Sequence, residues 1–166
     1  MKITKKKKIF IIIFSIIIFA SILYTTVWAV NYKSYDRFIG EGLTKLSYSP
    51  NSFVDRSSSI IYGVKKPAFL SFTGNLTCVG EDGILTILIW PSFMSKDTSE
   101  IGLMITDDEN KISYMIYVNE NMEYHTEANK EIGYTEIEEV EMKKLISEHR
   151  DEINQLYKLA KEKFGL

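Results

Sequence analysis

The sequence predicts an α+β protein, with a single N-terminal transmembrane helix followed by an antiparallel β-meander packed against a long C-terminal amphipathic helix. Three observations carry that prediction. Residues 9–30, IFIIIFSIIIFASILYTTVWAV, run for 22 positions without a charge. Between residues 59 and 119, short apolar stretches alternate with turn-forming residues, and from about Glu136 to Phe164 apolar residues recur with a helical period. Four segments follow: a basic cytoplasmic start (1–8), the membrane anchor (9–30), a juxtamembrane helix and linker (31–58), and an extracytoplasmic α+β domain (59–166).

The anchor is read from length and charge. At about 1.5 Å per residue a 22-residue helix spans about 33 Å, close to the roughly 30 Å hydrocarbon core of a bilayer. Five lysines precede the run, whereas only Lys33 and Arg37 follow it closely. The positive-inside rule therefore places the N-terminus in the cytoplasm and the rest outside. Tyr24 and Trp28 belong at the outer interface, where amphipathic rings are favoured. The alternative is a cleaved signal peptide and a secreted protein, with Val27-Trp28-Ala29 as the cleavage motif and Val30 as the mature start. The apolar region of a signal peptide usually spans about 7–15 residues, so the length favours the anchor.

Beyond the anchor, 15 of the 20 basic residues face all 22 acidic ones, a formal charge of −7. This balance argues against nucleic acid, which is bound through clustered positive charge. The single cysteine, Cys78, allows no internal disulfide, so the domain is held by packing. Its neighbours Leu76-Thr77-Cys78-Val79 make it a buried small hydrophobe. Abundant isoleucine and lysine suit an AT-rich bacterial genome.

The first segment after the anchor places Tyr32, Tyr35, Phe38, Ile39, Leu43 and Leu46 mostly three and four apart, predicting a helix over residues 31–46 that Gly40 and Gly42 weaken. Residues 47–58, rich in serine with Pro50 and Asn51, read as a break. Ser59–Tyr62 and Ala68–Thr73 read as short strands, Leu76–Val79 as another, and Gly80-Glu81-Asp82-Gly83 as a hairpin turn. Ile84–Trp90 is apolar apart from Thr86, which fits a central strand covered on both faces. After a polar connection, Ile101–Thr106 and Lys111–Asn119 form a hairpin around Asp107-Asp108-Glu109-Asn110. Its second strand sets Ile112, Tyr114, Ile116 and Val118 on one face.

The terminal helix opens on a capping box, Thr135 with Glu138, and carries the stripe Met142, Leu145, Ile146, His149, Ile153, Leu156, Tyr157, Ala160 and Phe164. Glutamates crowd its start, lysines its end, and Gly165 stops it.

The sequence assigns no catalytic, cofactor-binding or metal-binding residue. His125 and His149 stand apart from any second histidine, residues 107–110 lack the acid spacing of an EF-hand, and no Gly-x-Ser-x-Gly or phosphate-binding loop occurs. The function read from these features is a membrane-anchored extracytoplasmic binding or interaction module, an accessory subunit of an envelope complex. Its partners are the bilayer, through residues 9–30, and a protein or small ligand outside it. The candidate interaction surface is Tyr32, Tyr35, Phe38, Phe93 and Met94. Two alternatives stand beside it: a small cell-surface enzyme using Cys78, His125 and nearby acids, and a structural protein self-assembling through Tyr35 and Phe38.

Overall fold

A computed structural model describes residues 5–92, 98–107 and 112–166. The apolar run lies within one helix, α1 (Lys5–Ser34), which passes into a 3₁₀ turn, Tyr35–Phe38. The isoleucines and phenylalanines between Ile9 and Phe19 are exposed, and the apolar window buries nothing against the domain. A helix that is apolar all round requires a hydrocarbon environment, and this one is long enough to cross a bilayer. Within it, the hydroxyls of Ser21, Thr25 and Thr26 each donate to the carbonyl four residues earlier at 2.8 Å. Their polarity is thus absorbed by the helix itself.

The helix predicted over residues 31–46 stops short. Its chain turns at Gly40 and Gly42, the latter at φ +88°, and resumes as strand β1 (Thr44–Leu46). Leu46 therefore belongs to the sheet. Residues read as a linker supply the next strand, β2 (Ser49–Asp55), which pairs antiparallel with β1. The β-branched and aromatic pair Phe53-Val54 suits a strand once a neighbour satisfies its backbone, and the surrounding serines conceal that signal.

Five further strands complete the sheet: β3 (Ile61–Lys65), β4 (Asn75–Val79), β5 (Leu85–Pro91), β6 (Thr98–Asp107) and β7 (Ile112–Val118). Their order in space is their order in sequence, and every neighbouring pair is antiparallel. Register follows from the two-residue period of the apolar side chains. Val64, Leu76, Ile89, Ile101 and Val118 lie opposite one another across five strands, and Cys78, Ile87, Leu103 and Ile116 form the adjacent row. All nine are buried. The β4–β5 turn is closed by Gly80 N–H donating to Leu85 O and Gly83 N–H to Gly80 O, with Gly83 at φ +77°.

On the opposite face the covering is thinner than predicted for β5. Thr86 is buried, while Leu88 and Trp90 are half-buried. Trp90 and Tyr117 approach at 5.7 Å above Gly102, where a Cβ would meet the Trp90 ring and the Met115 methyl. The glycine lets these large side chains close over the strand.

Three helices follow: α2 (Thr126–Glu131), α3 (Glu136–Glu148) and α4 (Arg150–Phe164). The capping box at Thr135 and Glu138 forms as predicted, and Gly165 ends α4 in the left-handed conformation. The single terminal helix expected from the stripe is instead two. His149, at φ −102° and ψ 15°, ends α3 and begins α4, and its Nδ1 lies 3.1 Å from Glu152 Oε2. One apolar period runs through both halves because both pack on the same core. Met142 and Ile146 of α3 join Ile153, Leu156, Tyr157, Ala160 and Phe164 of α4 in a single cluster with the sheet. α4 lies across β4 and β5, and Ala160 is small enough for close approach.

The C-terminal end of α4 is latched to the first strands. Lys163 Nζ donates to Asp55 Oδ2 at 2.7 Å and to Glu41 O at 3.1 Å. Ser57 donates to Asp55 Oδ1 from both its hydroxyl and its backbone N–H. Lys163 first, and then Ser57, hold the Asp55 carboxyl well below the usual carboxylate range.

Candidate functional site

Among the described residues, two places combine unusual chemistry with accessibility: the junction between α1 and the domain, and a cleft at the far end of the sheet. The junction is built from residues 24–38 and from the β3–β4 loop, residues 66–74. Ala68–Thr73, read from sequence as a strand, is a loop that folds back along α1. Pro67 offers no N–H for a ladder, and the loop's carbonyls find donors on the helix instead. Tyr24 Oη donates to Phe69 O, Trp28 Nε1 to Ala68 O at 2.9 Å, and Asn31 Nδ2 to Phe72 O. The rings interlock as well. Phe69 meets both Tyr24 and Trp28 edge-on, at 5.6 and 5.1 Å, and Phe72 meets Tyr24 at 5.1 Å.

Above this contact the chain enters the core without a linker. Tyr35 and Phe38 are buried at 2 % and 3 % exposure in the same cluster as the sheet and α4. Tyr35 Oη accepts the Gly74 N–H at 3.1 Å. Lys66 is buried, ion-paired to Asp36, with its Nζ 4.4 Å from the centre of the Tyr32 ring. Tyr32 is half-buried, its ring 5.1 Å from Trp28. Of the five residues expected to form an interaction surface, Tyr35 and Phe38 are thus interior and Tyr32 is partly covered. Phe93 and Met94 lie outside the described residues, as do residues 108–110 of the acidic turn.

The exposed large apolar side chains of the loop are Phe69, Leu70 and Phe72, at 49 %, 89 % and 39 %. The sequence conceals them because the apolar-polar alternation of Leu70-Ser71-Phe72-Thr73 imitates a strand. The burial of Asn31, which the sequence does not announce, explains its bond to the loop: a buried amide must have a partner.

The cleft lies between α4 and the β4–β5 turn and encloses about 360 Å³. Ile60, Leu85, Leu156 and Leu159 supply its apolar lining, and Glu81, Asp82, Glu152 and Gln155 its polar one. Asp82 Oδ1 accepts the Ile84 N–H at 2.9 Å, which ties one carboxylate to the turn. β4 begins at the loop that packs on α1 and ends at this turn, about 15 Å further on. The cleft therefore sits at the end of the sheet opposite the helix.

The residues proposed for the enzymatic alternative do not meet. Cys78 is buried beneath α4, with its Sγ 3.9 Å from Leu156 O, and burial pushes its thiol up to about 12. His125 caps α2 by accepting the Ala128 N–H at 3.2 Å. It follows β7, whereas Cys78 is on β4, and three strand spacings separate those strands, about 14 Å. Among the described residues, no three His, Cys, Asp or Glu side chains converge as a metal cage. Compared with known proteins, the chain matches no family model, no curated protein and no solved structure.

Proposed function

We propose that this chain is a membrane-anchored, extracytoplasmic binding module whose cleft receives an apolar group carrying a positive charge, as an accessory subunit of an envelope complex. The observation that supports this most is the composition of the cleft: an apolar lining of isoleucine and leucine beside Glu81, Asp82 and Glu152. An apolar pocket with a few placed polar groups is the usual form of a recognition site, and carboxylates at its edge favour a cation. Position supports it too. The cleft is turned away from the helix end of the domain, towards the space where a partner would approach. The lysine-rich start and the less basic flank beyond the helix support an N-in orientation.

The test is a photocrosslinking residue at Gln155 in the full chain, in native membranes, with binding compared between the wild type and a Glu81→Lys, Glu152→Lys variant. A discrete adduct, lost in the charge-reversed variant, is the expected result. Absence of any adduct, together with no ligand-induced rise in the thermal midpoint, contradicts it.

A further inference from the structure

We infer that the β3–β4 loop is a second membrane-contacting element, with Phe69, Leu70 and Phe72 entering the leaflet on the domain's side of the bilayer that α1 crosses. The inference rests on α1 spanning that bilayer and on no particular partner for the cleft.

Depth comes from counting along the helix. If the hydrocarbon region begins at Ile9, behind Lys5–Lys8, about 20 residues carry it to Trp28. Tyr24 then lies about 6 Å inside the boundary, and Lys33 about 7.5 Å beyond it, among headgroups. The loop is fixed to this same stretch. Phe69 packs on Tyr24 and Trp28, and Phe72 packs on Tyr24, so both rings lie level with the outer edge of the hydrocarbon. The loop cannot leave that level while its bonds to Tyr24, Trp28 and Asn31 persist.

Composition and backbone agree with that level. No charge occurs between Pro67 and Gly80, and Leu70 is the most exposed large apolar side chain of the described residues. Irregular backbone in the hydrocarbon must be satisfied within the protein, whereas at its outer edge headgroup water serves the groups left over. Here the carbonyls of Ala68, Phe69 and Phe72 each receive a donor from α1, and Ser71 N–H returns to Ala68 O at 2.9 Å. Ser71 Oγ further accepts the Thr73 N–H at 3.2 Å. The occupant of the exposed apolar tip is therefore the lipid that already surrounds α1, continuous with the helix surface.

The test uses the full chain with Cys78→Ala, reconstituted in phosphatidylcholine–phosphatidylglycerol vesicles. An environment-sensitive fluorophore is placed at Leu70→Cys, at Ile112→Cys as an exposed site at the sheet end opposite the helix, or at Ile17→Cys within the helix. The Leu70 label is expected to emit at shorter wavelength than the Ile112 label, with several-fold stronger quenching by a shallow lipid nitroxide than by aqueous iodide. Emission and iodide quenching matching those at Ile112 overturn the inference. So does a Leu70 label that is aqueous in vesicles yet shielded in native membranes, which assigns the loop to a protein partner. A label at Ile17 that stays aqueous identifies failure of the spanning helix itself.

Discussion

Gly74→Ala is the substitution that most directly probes the fit between loop and helix. A Cβ at this position would lie inside van der Waals contact with the Lys65 carbonyl oxygen and 2.7 Å from Cε1 of Tyr35. Ordinary carbon–carbon contacts are about 3.5–4.0 Å, so the Tyr35 ring must retreat by about 1 Å. The ring is buried against Phe38, and Lys65 is held opposite Asn75 at the end of the β3–β4 ladder. Neither neighbour gives easily. Overpacking of this kind costs about 1–3 kcal/mol, and retreat of the ring also removes Tyr35 Oη from the Gly74 N–H, leaving a buried donor at about 1–3 kcal/mol. With partial relaxation the sum is about 2–4 kcal/mol, or roughly 10 °C in the midpoint for a domain of this size. Thermal unfolding of the full chain in lipid nanodiscs, followed by near-ultraviolet circular dichroism, reads the effect. Gly40→Ala is the control, because its Cβ would meet nothing within 4 Å. A Gly74→Ala midpoint within about 2 °C of wild type refutes the reasoning, since that corresponds to well under 1 kcal/mol.

Three more outcomes follow from the same geometry. Because the Asp55 carboxyl is depressed in the fold, its pairing with Lys163 stabilises fully above the unfolded carboxylate value of about 3.9 and is lost as pH falls through the folded value. The midpoint should therefore decline below about pH 4, and Asp55→Asn should be less stable at pH 7 with a shallower acid decline; identical acid profiles contradict the latch. Cys78 should resist maleimide in the native chain and react once denatured, as mass spectrometry would show, and rapid native labelling would contradict its burial. Ile153→Ala opens a cavity under α4 and should cost about 2–4 kcal/mol in denaturant unfolding, against less than about 0.5 kcal/mol for exposed Ile137→Ala.

Local signals made much of this architecture legible. The uncharged run gave α1, the turn at Gly80–Gly83 gave the β4–β5 hairpin, and Thr135 with Glu138 gave the start of α3, because in each case the deciding interaction lies within a few residues. Three features were hidden for the opposite reason. β2 exists because β1 and β3 pair with it, which its serines do not announce. Both sides of the His149 break face one core, so the apolar period is uninterrupted there. The loop at Ala68–Thr73 looks like a strand until Tyr24, Trp28 and Asn31, about 40 residues earlier, supply donors to its carbonyls. The cleft was equally illegible, since Ile60, Glu81 and Glu152 meet only through the packing of α4 on the sheet.

The central claim is that the domain is seated rigidly on the end of its membrane helix, with no linker between them. Pulsed dipolar spectroscopy between spin labels at Ile17→Cys and Lys45→Cys, in the Cys78→Ala full chain in nanodiscs, measures this directly. One narrow distance distribution is the predicted result, broadened when Trp28 and Asn31 are both replaced by alanine. A broad distribution in the chain that retains Trp28 and Asn31 would mean that the domain swings free of the helix, and would contradict the account.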